Sequence, residues 1–264
     1  MRHDLVVCAY GDSPYLPDCL RSLAALHGGY TTLTVVSSTP SPYQRMAAES
    51  VRALFVVNER PPSIGSDWNF ALSVAHGPLV TLCHQDDTYM PDFAHRTQAL
   101  FANHADVVLA STGHVELLDG RRRKLSPVLL VKRLLMRNAF RGRQVSPAHD
   151  IRRRLLAFGN PVCCSSATFN KPLLGDFAFS ERLHSNLDWD AWSRLAETPH
   201  LFGYIPDVLV ARRVHGASAT TRCMADNSRA REDLEMFLRY WPRPAARGLM
   251  RLYQRSYGSN ATTT

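Results

Sequence analysis

Short apolar, β-branched segments recur roughly every 25 residues through the first 113 residues of the chain, and helix-like segments separate most of them. Alternation of this kind is typical of βαβ units that build a mainly parallel sheet. Such sheets bind ligands at the carboxyl ends of their strands. The predicted strands are Leu5–Ala9, Leu33–Val36, Leu54–Val57, Leu79–Cys83 and Val107–Ala110.

Helix start and stop signals fall between these strands. A proline just after a serine favours the first turn of a helix, and a glycine followed by proline favours its end. The sequence therefore predicts four helices: one with Ser13 as N-cap and Pro14 at its first position, one starting at Ser41-Pro42, one that carries Trp68 and ends at Gly77-Pro78, and one starting near Pro91-Asp92.

The positive charge of the chain is concentrated in one segment. The 264 residues carry a net charge of +8, but residues 121–154 hold 12 basic residues and one acid, so the remainder has 19 basic and 22 acidic residues. A helix is predicted around Leu129–Phe140, with Leu130, Leu134 and Leu135 on one face and arginines opposite. A basic amphipathic stretch is typical of contact with an anionic membrane surface. An arginine-rich solvated face is the alternative interpretation.

Composition excludes several classes of protein. An apolar content of 45% is that of a globular chain, and no apolar run approaches the roughly 18 residues of a membrane span. The six cysteines form no C-x-x-C pair, and the N-terminus has Asp4 where a signal peptide is basic. We expect a cytoplasmic protein with reduced thiols. Nucleic acid is not an expected partner, because the basic segment lacks interleaved aromatic residues.

Adjacent carboxylates follow the fourth predicted strand, in His84-Gln85-Asp86-Asp87. Two neighbouring acids at a strand end repel each other unless a cation lies between or beside them. Carboxylate oxygens suit Mg²⁺ or Mn²⁺, which take one or two carboxylates together with substrate phosphates. An Asp-Asp pair is also common in solvated turns, so the residues alone leave both interpretations open.

Four segments, in order along the chain, resemble family 2 glycosyltransferases. The first strand with its following helix resembles the opening of that family. Trp68–Leu72 and the strand that enters Asp86 are similar to the lead-in to its metal-binding D-x-D motif. The third segment, Asn186–Leu195, is similar to the segment that supplies its catalytic base, and the fourth, Arg213-Val214-His215 with Ser218 and Thr220, resembles its closing R-x-H segment.

The resemblance implies a GT-A fold: an α/β, Rossmann-like, mainly parallel sheet with helices on both faces and an acceptor-binding C-terminal extension. Residues 1–113 are then the nucleotide-sugar-binding half, residues 114–255 the acceptor-binding and catalytic-base half, and residues 256–264 a flexible tail. The implied reaction transfers a sugar, with inversion, from a nucleoside-diphosphate sugar to a glycan, lipid-linked or small-molecule acceptor. UDP or dTDP is the expected nucleotide.

Roles for individual residues follow from the same resemblance. Asp188 matches the general base, and Asp86 with His215 matches the ligands of a Mn²⁺ or Mg²⁺ cofactor. The expected donor-binding residues are Ala9, Tyr10, Ser37, Asp67, Asn69, Gln85, Asp86 and Asp87. If the basic segment 121–154 contacts lipid, the enzyme lies peripherally on the inner face of the plasma membrane.

Three positions depart from the family pattern. His84 stands at the first D-x-D position, the second strand ends in Ser37-Ser38 where an aspartate is usual, and Leu187 precedes Asp188 where an acid is frequent. These departures leave open a catalytically inactive nucleotide-sugar-binding scaffold. The positive net charge leaves open a basic protein that binds membranes or nucleic acid. The sequence does not indicate an oligomeric state.

Overall fold

A computed structural model describes residues 1–118, 120–123, 127–216, 218 and 228–254. Ten strands join in one sheet, and the five predicted strands are among them. The strands are β1 (His3–Ala9), β2 (Thr32–Ser37), β3 (Leu54–Val57), β4 (Leu79–His84), β5 (Thr88–Tyr89), β6 (Val107–Leu118), β7 (Arg121–Arg122), β8 (Val145–Pro147), β9 (Thr168–Asn170) and β10 (Leu201–Val214).

The sheet is mainly parallel. Its order is β3-β2-β1-β4-β9-β6-β10-β5, with β7 beside β6 and β8 beside β10. The first four strands in this order are mutually parallel, and β6 is parallel to β10. β9 is antiparallel to both β4 and β6, so it joins the two parallel groups. The carboxyl ends of β1, β2 and β4 therefore lie side by side at one edge.

Helices cover both faces of the sheet, as the sequence predicts. Two separate clusters of buried apolar side chains, one on each face, form the core. The α-helices are α1 (Leu16–Ala24), α2 (Pro42–Ser50), α3 (Ile64–Val74), α4 (Phe93–Asn103), α5 (Pro127–Phe140), α6 (Ala148–Arg154), α7 (Leu187–Leu195), α8 (Ser228–Leu238) and α9 (Arg243–Gln254).

Two predicted helix ends differ from the structure. The start of α2 at Ser41 is confirmed, because Ser41 Oγ accepts a hydrogen bond from the Gln44 N–H. By contrast α1 begins at Leu16, after a turn in which Ser13 Oγ accepts from the Tyr15 N–H. Helix α3 ends at Val74, before Gly77. Gly77 is needed for close approach: a Cβ there would lie 3.0 Å from the Asp4 carboxylate that accepts its N–H.

Helix α5 covers the predicted segment, and its apolar residues divide between a buried and an exposed face. Leu129, Met136 and Phe140 are buried, whereas Leu130 and Leu134 are more than half exposed. Lys132 and Arg133 are half-buried and line a cavity. Leu130 and Leu134 face outward, whereas Leu135 packs partly against the core.

The predicted boundary at residue 113 falls inside β6, so the sheet is continuous across it. The division into donor and acceptor halves stays a prediction. Cys8, Cys19, Cys83, Cys163 and Cys164 are free thiols. Predictions for Cys223, Thr220 and the tail 256–264 concern residues outside the described part of the chain. Among the described helices, none combines the length and apolarity needed to cross a membrane.

Candidate active site

The ends of β1 and β4 are joined at the carboxyl edge of the sheet by one side chain. Gln85 Nε2 donates to the Tyr10 carbonyl at 3.0 Å, and Gln85 Oε1 accepts from the Tyr10 N–H at 3.1 Å. Ala9 is buried as the last residue of β1, while Tyr10 is 48% exposed. The amide of Gln85 therefore fixes the two loops together and leaves the Tyr10 ring at the surface of the site.

Asp86 meets the end of β10 across this edge. Its Oδ2 lies 2.9 Å from His215 Nε2, and its Oδ1 lies 3.4 Å from the Ser13 hydroxyl. The His215 ring packs against Tyr15, with the ring centroids 4.9 Å apart. The structure thus brings together the two residues predicted as metal ligands, although 129 positions of sequence separate them.

The neighbouring Asp87 points the other way. It is buried, and its Oδ1 accepts a 2.8 Å hydrogen bond from the backbone N–H of Arg213. The Arg213 guanidinium in turn donates to the Asp86 carbonyl at 3.0 Å and lies over the Tyr15 ring. Burial raises the pKa of the Asp87 carboxyl. Asp87 therefore anchors β10 against the Asp86 loop.

A second polar group lies at the end of β2. Asp67 Oδ2 accepts from the Ser38 hydroxyl at 2.9 Å, and its Oδ1 accepts from Asn58 Nδ2 at the same distance. Burial raises the pKa of Asp67. Ser37 is fully buried, with its hydroxyl oxygen accepting from the Thr39 N–H. Helix α3 thus supplies a carboxylate at the strand end where β2 itself carries serines.

Asn69, predicted to bind the donor, connects α3 to a distant loop. Its Nδ2 donates to the Phe179 carbonyl at 3.0 Å, and its Oδ1 accepts from the Phe179 N–H at 2.7 Å. On the same helix, a Cβ at Gly65 would lie 2.6 Å from the Ser180 carbonyl oxygen, so only glycine permits this close approach. The contacts of Asn69 are therefore those of a residue that positions the 179–181 loop.

Asp188 lies in the first turn of α7, with both carboxylate oxygens hydrogen-bonded. Oδ2 accepts from Asn160 Nδ2 and Oδ1 accepts from the Trp189 N–H, each at 2.7 Å. Burial is the main cause that raises the pKa of Asp188. Two residues later, Asp190 pairs with Arg194 and Arg239 instead, as a structural residue would.

Helix α8 holds the loop that leads into Asp188. The Glu232 carboxylate accepts backbone N–H bonds from His184, Ser185 and Asn186 at 2.8–2.9 Å. The next residue, Asp233, accepts from Asn186 Nδ2 at 2.6 Å. Three consecutive N–H donors on one carboxylate fix the backbone just before α7, and hence the position of Asp188.

One cleft contains both groups of acids. Its volume is about 210 Å³, and His84, Asp86, Asp87 and Asp188 all line it. The His84 ring stacks on Trp68, with centroids 5.6 Å apart, and its buried Nε2 has no hydrogen-bond partner within the described residues. Asp86, with the His215 imidazole beside it, and Asp188 therefore lie at separate places in the wall of one cleft.

Comparison with protein families identifies the chain. The model of the family described as glycosyl transferase family 2 matches residues 4–172, more than half of the sequence. The chain belongs to glycosyl transferase family 2. It is therefore an enzyme, a glycosyltransferase, with the GT-A fold that the sequence predicts. None of the curated proteins matches its sequence.

Solved structures resemble this glycosyltransferase over most of its length. S. aureus TarS 1-349 in complex with UDP-GlcNAc has a TM-score of 0.68 at 14% identity, covering 98% of this chain and 73% of that one. Mannosyltransferase PcManGT from Pyrobaculum calidifontis, with GDP-Man and Mn²⁺, has a TM-score of 0.66 at 15% identity, covering 99% and 76%. Glucosyl-3-phosphoglycerate synthase from Mycobacterium tuberculosis has a TM-score of 0.57 at 17% identity, covering 87% and 76%. At these identities the likeness concerns the fold.

A divalent cation fits the residues at the Asp86 end of this glycosyltransferase's cleft. No group of three or more His, Cys, Asp or Glu side chains is gathered for a metal within the described ranges. A carboxylate oxygen and an imidazole nitrogen 2.9 Å apart are nevertheless a donor pair that suits Mn²⁺ or Mg²⁺, with substrate phosphates completing the shell.

Sequence reasoning missed the residues that support the acids. Asn160 bonds Asp188 from 28 positions away, and Glu232 holds residues 184–186 from more than 45 positions away. Neither stands in a motif, and Glu232 looks like any acid on a polar helix. Only the Arg213 segment carried a sequence signal, because it is part of the R-x-H resemblance.

Proposed function

We propose that this glycosyltransferase moves a sugar from a nucleoside-diphosphate sugar, UDP- or dTDP-linked, to an acceptor hydroxyl with inversion. The observation that carries the proposal is the cleft lined by both Asp86 and Asp188. The group that holds the donor diphosphate and the group that takes the acceptor's proton must lie in the same cleft, because donor and acceptor react there with each other. In this chain Asp86 follows the end of β4, and Asp188 lies in the first turn of α7.

Asp188 is the proposed general base. Its hydrogen bonds from Asn160 and Trp189 orient the carboxylate, and burial raises its pKa, so it accepts a proton more readily than an exposed aspartate. The acceptor hydroxyl gives its proton to Asp188 as its oxygen bonds to the anomeric carbon. The bond from that carbon to the diphosphate breaks on the opposite face. This single displacement inverts the anomeric centre.

Asp86 and His215 are the residues that would hold Mn²⁺ or Mg²⁺ on the donor diphosphate. Such an ion neutralises charge on the leaving diphosphate. Complexes of TarS with UDP-GlcNAc and of PcManGT with GDP-Man and Mn²⁺ support this role for the cleft. At the end of β2, Asp67 orients the Ser38 hydroxyl, and we propose that this pair contacts the nucleotide base in place of the usual strand-end aspartate.

Tyr10, Ala9, Ser37 and Gln85 complete the proposed donor side. Tyr10 supplies an exposed ring beside the nucleotide, while the other three form the strand ends on which it rests. Asp87 and Asn69 act on the donor through the backbone that they fix, at Arg213 and at Phe179.

The exposed face of α5 supports a peripheral position on an anionic membrane, at the cytoplasmic side. Leu130, Val131 and Leu134 are each 55–59% exposed, on a helix within the most basic segment of the chain. Apolar side chains flanked by cations bind the interface of an anionic bilayer. Sedimentation with phosphatidylglycerol vesicles at low salt tests this, and absence of binding contradicts it.

Nucleotide binding tests the proposed function. Melting temperatures are measured with UDP, dTDP, GDP and ADP, each with and without Mn²⁺, for the wild type and for Asp86→Ala. A nucleotide at about 100 times its Kd adds roughly 2.7 kcal/mol to the free energy of unfolding. We expect a Mn²⁺-dependent increase with UDP or dTDP that Asp86→Ala abolishes. Asp12→Ala, an exposed acid of the same edge, serves as control.

Two results contradict the proposal. Absence of stabilisation by every nucleotide argues against a nucleotide-sugar donor. Stabilisation by UDP without turnover of any UDP-sugar, by either hydrolysis or transfer, favours the inactive scaffold instead. In that case Asp188→Asn leaves every measured property of the donor complex unchanged.

A further inference from the structure

A second cavity borders the catalytic cleft on the side of α5. Its volume is about 560 Å³, and its walls come from β6, α5, the 142–144 loop and the 204–208 part of β10. It shares His114, Lys132, Val162 and Cys163 with the cleft that contains Asp188. Asp86 and His215, the proposed diphosphate site, are not part of its wall.

The wall of this cavity is strongly basic. Asp207 is its one acid, and Asp207 pairs with Arg96. His114 adds no charge at neutral pH, because burial and the nearby cations lower its pKa to about 3. Five basic residues against one acid leave an excess of four positive charges. The basic residues are Arg96, Lys132, Arg133, Arg137 and Arg143.

Four of these cations have no carboxylate partner within the described part of the chain. Arg133 donates to the His114 carbonyl at 3.3 Å, which aims its guanidinium along the shared wall. Lys132 lies half-buried between the two cavities, and burial followed by repulsion from Arg212 lowers its pKa. Arg137 and Arg143 are exposed, so the free-energy cost of uncompensated charge in the empty protein falls mainly on the half-buried Lys132 and Arg133. A bound anion removes that cost.

We propose that this cavity binds a phosphate group of the acceptor, whose hydroxyl lies beside Asp188 in the adjoining cleft. The inference rests on the proposed function and names the substrate class for it. A phosphate monoester carries close to two negative charges, which the excess of positive charge in the cavity can compensate. One arginine guanidinium can donate two parallel hydrogen bonds to two oxygens of the same phosphate. The phosphate belongs either to a soluble acceptor or to a lipid-linked one.

Calorimetric titration with sn-glycerol 3-phosphate tests the proposal. UDP and Mn²⁺ are present at saturation, so that the donor site is filled, and glycerol is the uncharged comparison. The variants are Lys132→Met, which keeps the apolar stem of the side chain, and Arg137→Gln, whose side chain is exposed. Arg122→Gln removes the same charge at an exposed position outside the cavity and is the matched control.

We expect glycerol 3-phosphate, and not glycerol, to bind the wild type and Arg122→Gln equally. Its Kd rises about tenfold or more in Lys132→Met and in Arg137→Gln, because each loses a charge-assisted contact. Short-chain phosphatidic acid in a parallel titration distinguishes the source: tighter binding than glycerol 3-phosphate indicates a lipid-linked phosphate, and weaker binding a soluble one.

Equal binding by all four proteins, or no binding to the wild type, overturns the inference. Failure of the proposed function is distinguishable. If UDP with Mn²⁺ binds while glycerol 3-phosphate does not, the donor assignment stands and the acceptor assignment falls. If glycerol 3-phosphate binds through Lys132 while no nucleotide binds, the phosphate site stands and the transferase proposal falls.

Discussion

The two sides of the cleft differ in how their charged side chains are compensated. On the donor side, Asp86 meets His215 and Asp87 accepts the Arg213 N–H, so each acid has a partner within the protein. On the proposed acceptor side, Lys132, Arg133, Arg137 and Arg143 have no carboxylate partner among the described residues. The two acids therefore have partners before any ligand binds, and the four cations have no carboxylate partner.

This difference shows which part of the site the fold itself builds. Strand ends bring the donor-side groups together, and their mutual hydrogen bonds fix them in place, which reduces the ordering that a ligand must drive. On the proposed acceptor side, Lys132 and Arg133 have like charge and are half-buried, and the buried apolar residues of α5, such as Met136 and Phe140, hold that helix in place. A ligand is therefore expected to stabilise the acceptor side more than the donor side.

The largest expected effect comes from the acid between the two sides. Asp188→Asn keeps the shape of the side chain but removes the proton acceptor, so we expect transfer to slow by about 10²–10⁴-fold while UDP affinity stays unchanged. In the wild type, we expect the transfer rate to rise with pH through the raised pKa of Asp188, because only the deprotonated carboxylate can act as a base. Steady-state rates of transfer between pH 4 and 8 measure the loss of activity in Asp188→Asn and the pH dependence of the wild type.

Asp190→Asn is the matched control for this variant. Asp190 lies in the same helical turn but bonds Arg194 and Arg239, so its loss lowers stability and leaves the pH profile of transfer in place. Transfer by Asp188→Asn at the wild-type rate would remove Asp188 from the mechanism.

A smaller effect distinguishes the two faces of α5. Met136 is 4% exposed, and Met136→Ala is expected to lower the free energy of unfolding by about 2–5 kcal/mol. Leu134, two residues earlier, is 59% exposed, and Leu134→Ala is expected to change it by less than about 0.5 kcal/mol. Urea unfolding of both variants measures the difference. Comparable losses would mean that Leu134 is covered in solution.

The same helix illustrates which parts of the fold the sequence predicts. Strand positions follow from short, continuous apolar runs, which are typical of parallel strands, and β3 begins and ends where the sequence predicts. The orientation of α5 does not follow, because helical spacing groups its leucines and its cations without saying which residues meet the protein. Met136 is buried and Leu134 is exposed, while the half-buried Lys132 and Arg133 line a cavity.

The site divides in the same way. Asp86 and Asp188 stand in motifs, because their chemistry requires particular residues at a strand end and a helix start. Asn160 and Glu232 act through long-range contacts whose donors are a single amide and three backbone N–H groups. Every residue except proline has a backbone N–H group, so no pattern of residue types indicates which acid these groups will bind.

The last prediction concerns this hidden support. Glu232→Gln replaces the charged acceptor of three backbone N–H bonds with a neutral amide that has one acceptor oxygen. Hydrogen bonds to charged groups contribute about 1.5–3 kcal/mol each, and the retained oxygen keeps part of this. We expect the free energy of unfolding to fall by about 2 kcal/mol and kcat to fall several-fold, with UDP affinity unchanged, because the loop before Asp188 loosens.

Glu235→Gln on the same helix separates this effect from a general loss of charge. Glu235 pairs with Arg182 at the surface, where an ion pair contributes about 0–1 kcal/mol. Its replacement should leave kcat at the wild-type value. Equal losses of kcat in the two variants would mean that the charge of α8 as a whole, rather than the three N–H bonds on Glu232, positions Asp188. The position of Asp188 would then not depend on a specific set of hydrogen bonds, in contrast to that of Asp86 and Asp87.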